Sequence, residues 1–330
     1  MNCGDPIIDG LLAGEASIQP LTSGVNGRSV GYLQELLRGH GYNALPDARG
    51  PSYGVYGPST CHAVADYRRK NGLAAGELAD SSLLGDLVRR AAPHAVMGPA
   101  YVPLILNVPF TPVLRFVWLT SLFETGGGLA TLNLNTDQCG VSFGILQWSQ
   151  KPGQLHVILQ ACCTREPAGW EHIVGGREIL DHTAKPDGGV DTRGHSLDPR
   201  FELTEDPWKS KLEALGASPA MQRVQIGLAS DVYSSELKQA RGYAHEIQSE
   251  RGFAFLLDLA NQFGAGRVAK QYAQRYKIAG QPGITEHEIL QRLEDTFTNI
   301  ARLQFQPQVR ARREFFRTTA MLSDQPLAGQ

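Results

Sequence analysis

The sequence lacks any long uninterrupted apolar run. Its most apolar stretch, Tyr101 to Phe123, is broken by Pro103, Asn107, Pro109, Pro112 and Arg115, and a span in lipid must satisfy its own backbone without such breaks. Membrane insertion is therefore not expected. Charge of one sign is also missing: 31 Lys and Arg stand against 33 Asp and Glu, for a formal net charge of −2. A protein that neutralises phosphates needs a basic excess, so no nucleic acid is expected as partner. The first basic residue is Arg28, after Asp5, Asp9 and Glu15, and no ordinary signal peptide is visible. The five cysteines, Cys3, Cys61, Cys139, Cys162 and Cys163, form no CxxC pair, which argues against a disulfide framework or a zinc knuckle. The nine histidines show no HExxH spacing, and neither a metal nor a cofactor is expected. Internal repeats and low-complexity tracts are absent as well.

What is present is an ordinary globular composition, 42% hydrophobic and 19% charged over 330 residues, long enough for two domains. Val30, Leu33, Leu36 and Leu37 fall at helical spacing before Gly39 and Gly41. A turn-rich stretch from Asn43 to Ser59 follows, with Asp47, Gly50 and Pro51, and then a second helix carrying Ala63, Val64 and Tyr67. Leu83, Leu84, Leu87 and Val88 mark a third. Together they make a unit of about 70 residues, near the lower limit for independent folding. Five prolines from Pro93 to Pro112 predict a stiff linker. Beyond it the spacing predicts helices over 113–123, 219–248, 253–263 and 286–305, with residues 183–206 as a surface excursion. The expected layout is a tail at 1–24, a three-helix domain at 25–92, the linker at 93–112 and a second domain at 113–330. The expected fold class is mainly α, with a short β element at a cleft of the second domain.

Val30-Gly-Tyr-Leu-Gln-Glu-Leu-Leu-Arg-Gly-His-Gly-Tyr42, Tyr53-Gly-Val-Tyr-Gly-Pro-Ser-Thr60, Ala63-Val64 and Tyr67 to Leu73 resemble the small peptidoglycan-binding domain appended to many cell-wall hydrolases. The resemblance covers roughly residues 25 to 90. It departs where Arg49-Gly50-Pro51-Ser52 replaces the usual Asp-Gly and Tyr56 takes the usual Phe position. It implies bacterial peptidoglycan as partner, with Tyr53 and Tyr56 as the aromatic candidates for wall contact.

The chemistry-bearing stretch runs from Phe123-Glu-Thr-Gly-Gly-Gly128 through Asp137 to Gly140-Val-Ser-Phe-Gly-Ile-Leu-Gln-Trp148. Glu124 closes an apolar helix beside Phe123 and Trp118, a setting that predicts a carboxyl shielded from water. Glycoside hydrolysis requires one carboxylic acid to protonate the leaving oxygen and a second, ionised carboxylate to activate water or stabilise the sugar cation. Asp137 is the nearest second carboxylate, thirteen residues on.

This order resembles the lysozyme-like superfamily, above all its chitosanase branch, in which a Glu closes the first helix and an Asp precedes Gly-(Ile/Val)-(Thr/Ser)-Phe-Gly. The resemblance implies a lysozyme-like α+β catalytic domain in which Glu124 is the general acid, Asp137 the second carboxylate and Ser142 the hydroxyl that orients the attacking water. The interval from Glu124 to Asp137 is shorter than in typical chitosanases. Ile145-Leu-Gln-Trp148 is similar instead to a motif of lytic transglycosylases and goose-type lysozymes, which can work with Glu alone. Gln147 and Trp148 are candidates for a sugar subsite. Ser249 to Asp258 and Arg310 to Phe316 also resemble the helical lobe of these enzymes, and one of Arg310, Arg312, Arg313 and Arg317 is a candidate partner for a site carboxylate.

Gly140-Val-Ser-Phe-Gly144 is also literally G-x-S-x-G, which as a nucleophile elbow would make Ser142 an esterase or peptidase serine. An elbow needs an apolar strand before it, and Asn133-Leu-Asn-Thr-Asp-Gln138 is polar. The expected activity is thus a peptidoglycan glycosidase, a muramidase that takes no cofactor. The alternatives are a lytic transglycosylase or chitosanase on the same fold, or a non-enzymatic wall-binding adaptor. Lacking a signal peptide, it is expected to be made in the cytoplasm and to act on the wall or periplasm after release as a phage endolysin or delivery as an antibacterial effector. In the effector case an immunity or inhibitor protein is a further partner.

Overall fold

The computed structural model describes residues 2–20, 27–46, 48–50, 52–92, 96–276 and 283–327. Asp47 and Pro51 of the expected turn, and Pro93 of the expected linker, lie outside them. The described chain is mainly helical with one small antiparallel sheet. No helix among the described residues is long and apolar enough to cross a membrane.

Helices α1 (Pro6–Ala13), α2 (Gly27–Gly39), α3 (Pro58–Lys70) and α4 (Ser81–Arg90) surround a hydrophobic core of their own, and this group is called the small domain. Helix α2 buries Val30, Leu33, Leu36 and Leu37, the residues whose spacing predicted it. The expected tail is a correction. Asp5 caps α1 by accepting from the amides of Ile7 and Ile8 and also takes the Ser29 hydroxyl at 2.7 Å. Cys3, Ile8 and Leu11 are fully buried in the small-domain core, because an Asp followed by Pro at the first helical position makes a helix start that the apolar residues then anchor.

The expected linker is a second correction. Residues 97–104 are buried and include a short helix, α5 (Tyr101–Leu104). Ala100 and Leu104 enter the small-domain core, whereas Met97, Tyr101, Val102 and Leu106 enter the next one. Proline stiffens a chain without preventing burial, and Pro103 sits in the first turn of α5, where a missing N–H costs little. The Tyr101 hydroxyl donates to Gln222 at 2.8 Å. The two domains also share an ion-pair cluster: Glu250 accepts from Arg115 and, at 2.8 Å, from Arg28, while Arg115 Nε donates to the Tyr32 hydroxyl at 2.9 Å. The domains are therefore docked.

The second domain has two cores. Helices α6 (Pro112–Thr125), α11 (Pro219–Tyr243), α12 (Glu250–Phe263), α13 (Ala265–Tyr276), α14 (Glu286–Ile300) and α15 (Gln306–Thr318) surround the larger, in which Phe116, Trp118, Phe255, Phe297 and Phe316 are buried. The other is built from the sheet with α7 (Gln154–Arg165), α8 (Pro167–Ile173), α9 (Glu178–Thr183) and α10 (Trp208–Ala217). Helix α11 joins the two: Met221 and Val224 lie in one, Ile226, Ala229 and Tyr233 in the other. Ser218 caps it and Pro219 opens it, which is why so long a helix starts sharply.

Strands β1 (Leu132–Leu134), β2 (Val141–Phe143) and β3 (Trp148–Ser149) form the sheet in chain order, pairing Asn133 with Ser142 and Ser142 with Ser149. The expected surface excursion at 183–206 is pinned at points: Val190, Phe201 and Leu203 are buried, and His182 stacks on Phe201 with ring centres 4.9 Å apart. The last long helix ends at Ile300 rather than 305, leaving Leu303 and Phe305 exposed.

Candidate active site

Glu124 occupies the last turn of α6, where the larger core gives way to the sheet. Gly126 stops the helix in the left-handed region at φ 65°, and Gly127 follows at φ 82°. Backbone strain explains the first two glycines, and the third, Gly128, is a packing demand, since a Cβ there would lie 2.0 Å from Thr131 Oγ1. The chain then enters β1, and the base of the hairpin is tied to α11. Gln225 donates to the Leu129 carbonyl at 2.6 Å and accepts from the Ile145 amide at 3.0 Å. Gln225 packs so closely that a Cβ at Gly144 would lie 2.1 Å from its Oε1, so the glycine of this motif answers to a packing demand.

The surroundings of Glu124 differ from the apolar shield predicted. Its Oε1 accepts from Arg312 at 2.8 Å and from the Asn261 amide at 3.1 Å, and its side chain is 24% exposed. Arg312 is shared: it also grips Asp258 in bidentate fashion, Nη2 to Oδ1 at 2.7 Å and Nε to Oδ2 at 2.9 Å. Asp258 is fully buried and pairs in addition with Arg313, itself fully buried. The buried Asp258 is thus matched by Arg312 and Arg313, the condition under which charge is tolerated in a core, and Arg312 reaches on to Glu124. Burial works to raise the Asp258 carboxyl, yet Arg313 and Arg312 outweigh it and hold it below the usual carboxylate range. The Arg312 guanidinium lies 5.2 Å from the centre of the Phe123 ring, and Phe123 packs edge-on against Phe315 at 5.2 Å. Helices α12 and α15 therefore fix the carboxylate that α6 supplies.

Of the four arginines singled out, Arg312 is the one that meets Glu124. Asn261 and Asp258 were missed as site residues. Asp258 carried a signal, a lone acid inside Phe253-Ala-Phe-Leu-Leu-Asp-Leu-Ala260, because an acid in an apolar run needs a partner. Asn261 lies three residues on, on the same side of the helix.

The hairpin side is built differently. Asp137 sits in the exposed tip between β1 and β2, where its Oδ1 accepts from the Cys139 amide at 3.1 Å. That is the geometry of a loop-stabilising aspartate. Ser142 is buried, and its hydroxyl shares a hydrogen bond of 2.9 Å with the Ser149 hydroxyl across the sheet. It lies at the middle of β2 in an antiparallel hairpin, away from the strand-to-helix turn that a nucleophile elbow uses. Gln147, at φ 53°, donates to the Gly144 carbonyl at 3.1 Å. Trp148 is half-buried and touches both cores of the second domain. Tyr56 is a correction, since it is fully buried and donates to the Glu77 carbonyl, a core role in place of wall contact. Tyr53 is half-buried and packs toward Trp118, ring centres 6.3 Å apart.

Neither Glu124, Asp137 nor Ser142 lines the larger described cavities. One of about 610 Å³ lies beside Ser249, Arg251 and Glu286, toward the start of α12, and one of about 630 Å³ lies on the small domain. The candidate site is an open junction. Among the described residues no three His, Cys, Asp or Glu side chains are grouped to hold a metal ion. No family model matches the chain, and no curated protein matches it closely.

Proposed function

We propose that the chain is a peptidoglycan glycosidase of the lysozyme-like kind, a muramidase in which Glu124 donates the proton to the leaving glycosidic oxygen. One observation carries this: a helix-end carboxylate, partly open to solvent, is held by donors from two other helices where two cores meet. Precise placement of one acid is what proton transfer to a bound sugar requires. Oε1 is occupied by Arg312 and Asn261, whereas Oε2 accepts no described hydrogen bond and is the oxygen left to face substrate. In hydrolysis the protonated form of Glu124, carrying its proton on Oε2, gives it to the oxygen as that oxygen's bond to the anomeric carbon breaks, and water adds to that carbon while giving up its proton to the Asp137 carboxylate. The small domain would address the enzyme to the wall, and delivery as an endolysin or effector, with an inhibitor partner in the latter case, belongs to the same proposal.

A second version is favoured by the hairpin. Asp137 is exposed and engaged with its own loop, which suits a mechanism run by Glu124 alone, as in a lytic transglycosylase that closes an anhydro sugar without water. Mass spectrometry of purified peptidoglycan digested by the wild type, Glu124→Gln and Asp137→Asn separates the two. Reducing-end products lost in both variants support the two-carboxylate muramidase. Anhydro products that survive Asp137→Asn support the single-acid version. Cleaved stem peptides, or no cleavage at all, overturn the proposal.

A further inference from the structure

The small domain carries a cavity of about 630 Å³ between the end of α2 and the outer face of α3, within the size range of small-ligand sites. Its floor is aromatic: Tyr42 and Tyr67 lie 6.3 Å apart between ring centres, and His40 meets Tyr67 edge-on at 5.2 Å. Asp66 is the sole acid in its lining. That acid is fully engaged, accepting from the Tyr42 hydroxyl at 3.0 Å, from Lys70 at 2.7 Å and from Arg69. Lys70 and Arg69 thereby hold its carboxyl well below the usual range. Two cations thus stand against one acid. Lys70 has three N–H donors, of which one is described on Asp66, and its side chain is 59% exposed over the Tyr42 ring. Exposed Asn43 and His62 stand at the rim. An aromatic floor with spare cationic donors and no spare acid selects a ligand that brings a carboxylate.

Resting on the proposed wall activity, we propose that this groove binds the carboxylate-bearing stem peptide of peptidoglycan, with the Lys70 ammonium meeting the carboxylate and the rim residues meeting peptide groups. A neutral glycan brings hydroxyl acceptors and no counter-charge. Because the small domain is docked through Arg28, Arg115 and Glu250, the groove and Glu124 belong to one body, and capture of a stem determines which stretch of glycan lies near the acid.

The test is isothermal titration of the full chain carrying Glu124→Gln, so that ligand is not consumed, with a disaccharide tetrapeptide and with stem-free N-acetylglucosamine tetramer. The tetrapeptide should bind and the tetramer should not. Adding Lys70→Gln should weaken binding on the order of tenfold, and Lys70→Arg should restore it. On the catalytically intact chain, Lys70→Gln should leave cleavage of short soluble glycan unchanged. Equal binding by Lys70→Gln overturns the site, and equal binding of the tetramer overturns the ligand class. Absence of binding from a chain that still cuts purified wall overturns the groove while the glycosidase stands. Absence of both binding and cutting removes the two proposals together.

Discussion

Glu124 is held by donors from two other helices, whereas Asp137 bonds only within its own loop. Both are carboxylates flanking the same glycine-rich turn, and both fit the spacing of an acid and its partner. The difference lies in what stands behind each. Behind Glu124 are Arg312, Asp258 and Arg313, a buried cluster in which every charge has a counter-charge. Behind Asp137 is one backbone amide. A carboxylate placed by buried partners keeps one geometry, and one placed by a loop tip is free to follow the loop.

The strongest way to break this contrast is Glu124→Gln. The amide keeps the shape but cannot act as an acid, and initial rates of glycan cleavage should fall about 10³-fold. A rate near wild type would place the chemistry elsewhere. Next, Arg312→Ala leaves Asp258 with one cation instead of two in a dry setting and should cost about 3–5 kcal/mol in urea unfolding. Because the folded-state Asp258 is held below its unfolded value, its contribution is present above the unfolded pKa and lost as pH falls through the folded one. The gap between wild type and variant should therefore narrow in acid, and a gap that widens there would overturn the cluster as described.

The helical side also holds an acid without a cation. Glu236 on α11 has a buried Oε2 with no described hydrogen bond, and burial pushes it up to about 7. A raised carboxyl binds its proton more tightly in the folded state, so that contribution is full at low pH and lost as pH rises toward 7. Glu236→Gln should lose less stability than wild type between pH 5 and pH 8, by about 1 kcal/mol after allowance for partial exposure. Parallel thermal unfolding curves at the two pH values would check it. On the hairpin side, Ser142→Ala removes the cross-strand bond to Ser149, whose hydroxyl keeps the Gln147 carbonyl at 3.3 Å, and should cost about 0.5 kcal/mol. The smallest effect on stability is expected from Asp137→Asn, whose side-chain oxygen still caps the loop; turnover lost with it supports the two-carboxylate muramidase, and turnover near wild type supports the single-acid version.

Docking of the domains changes how their separation is to be tested. Deleting residues 1–92 would remove Tyr32 and Arg28 from the Glu250 cluster and uncover Trp118 where Tyr53 packs. A fall in activity on wall and on soluble glycan alike would then report damage to the catalytic lobe. Point changes in the Tyr42–Lys70 groove avoid that.

Much of the helical order was legible, because apolar residues at three- and four-residue spacing must bury one side of a helix whatever lies next to it. Glu124 was legible as a helix-end acid ahead of a glycine break. The burial of residues 97–104 was not, since proline content describes local stiffness and says nothing about which surfaces close over a segment. Tyr56 misled for the same reason: an aromatic beside a glycine turn serves equally as core or as contact.

By itself the sequence determined that the chain is mainly helical, where most helices begin and stop, and that Glu124 ends one of them, because caps, glycines and periodicity act within a few residues. Tertiary structure alone decided that Arg312 and Asn261, far along the chain, hold that carboxylate while Asp137 stays in its loop. Ion pairs and burial depend on separation in space, and that separation exists only once the helices have packed.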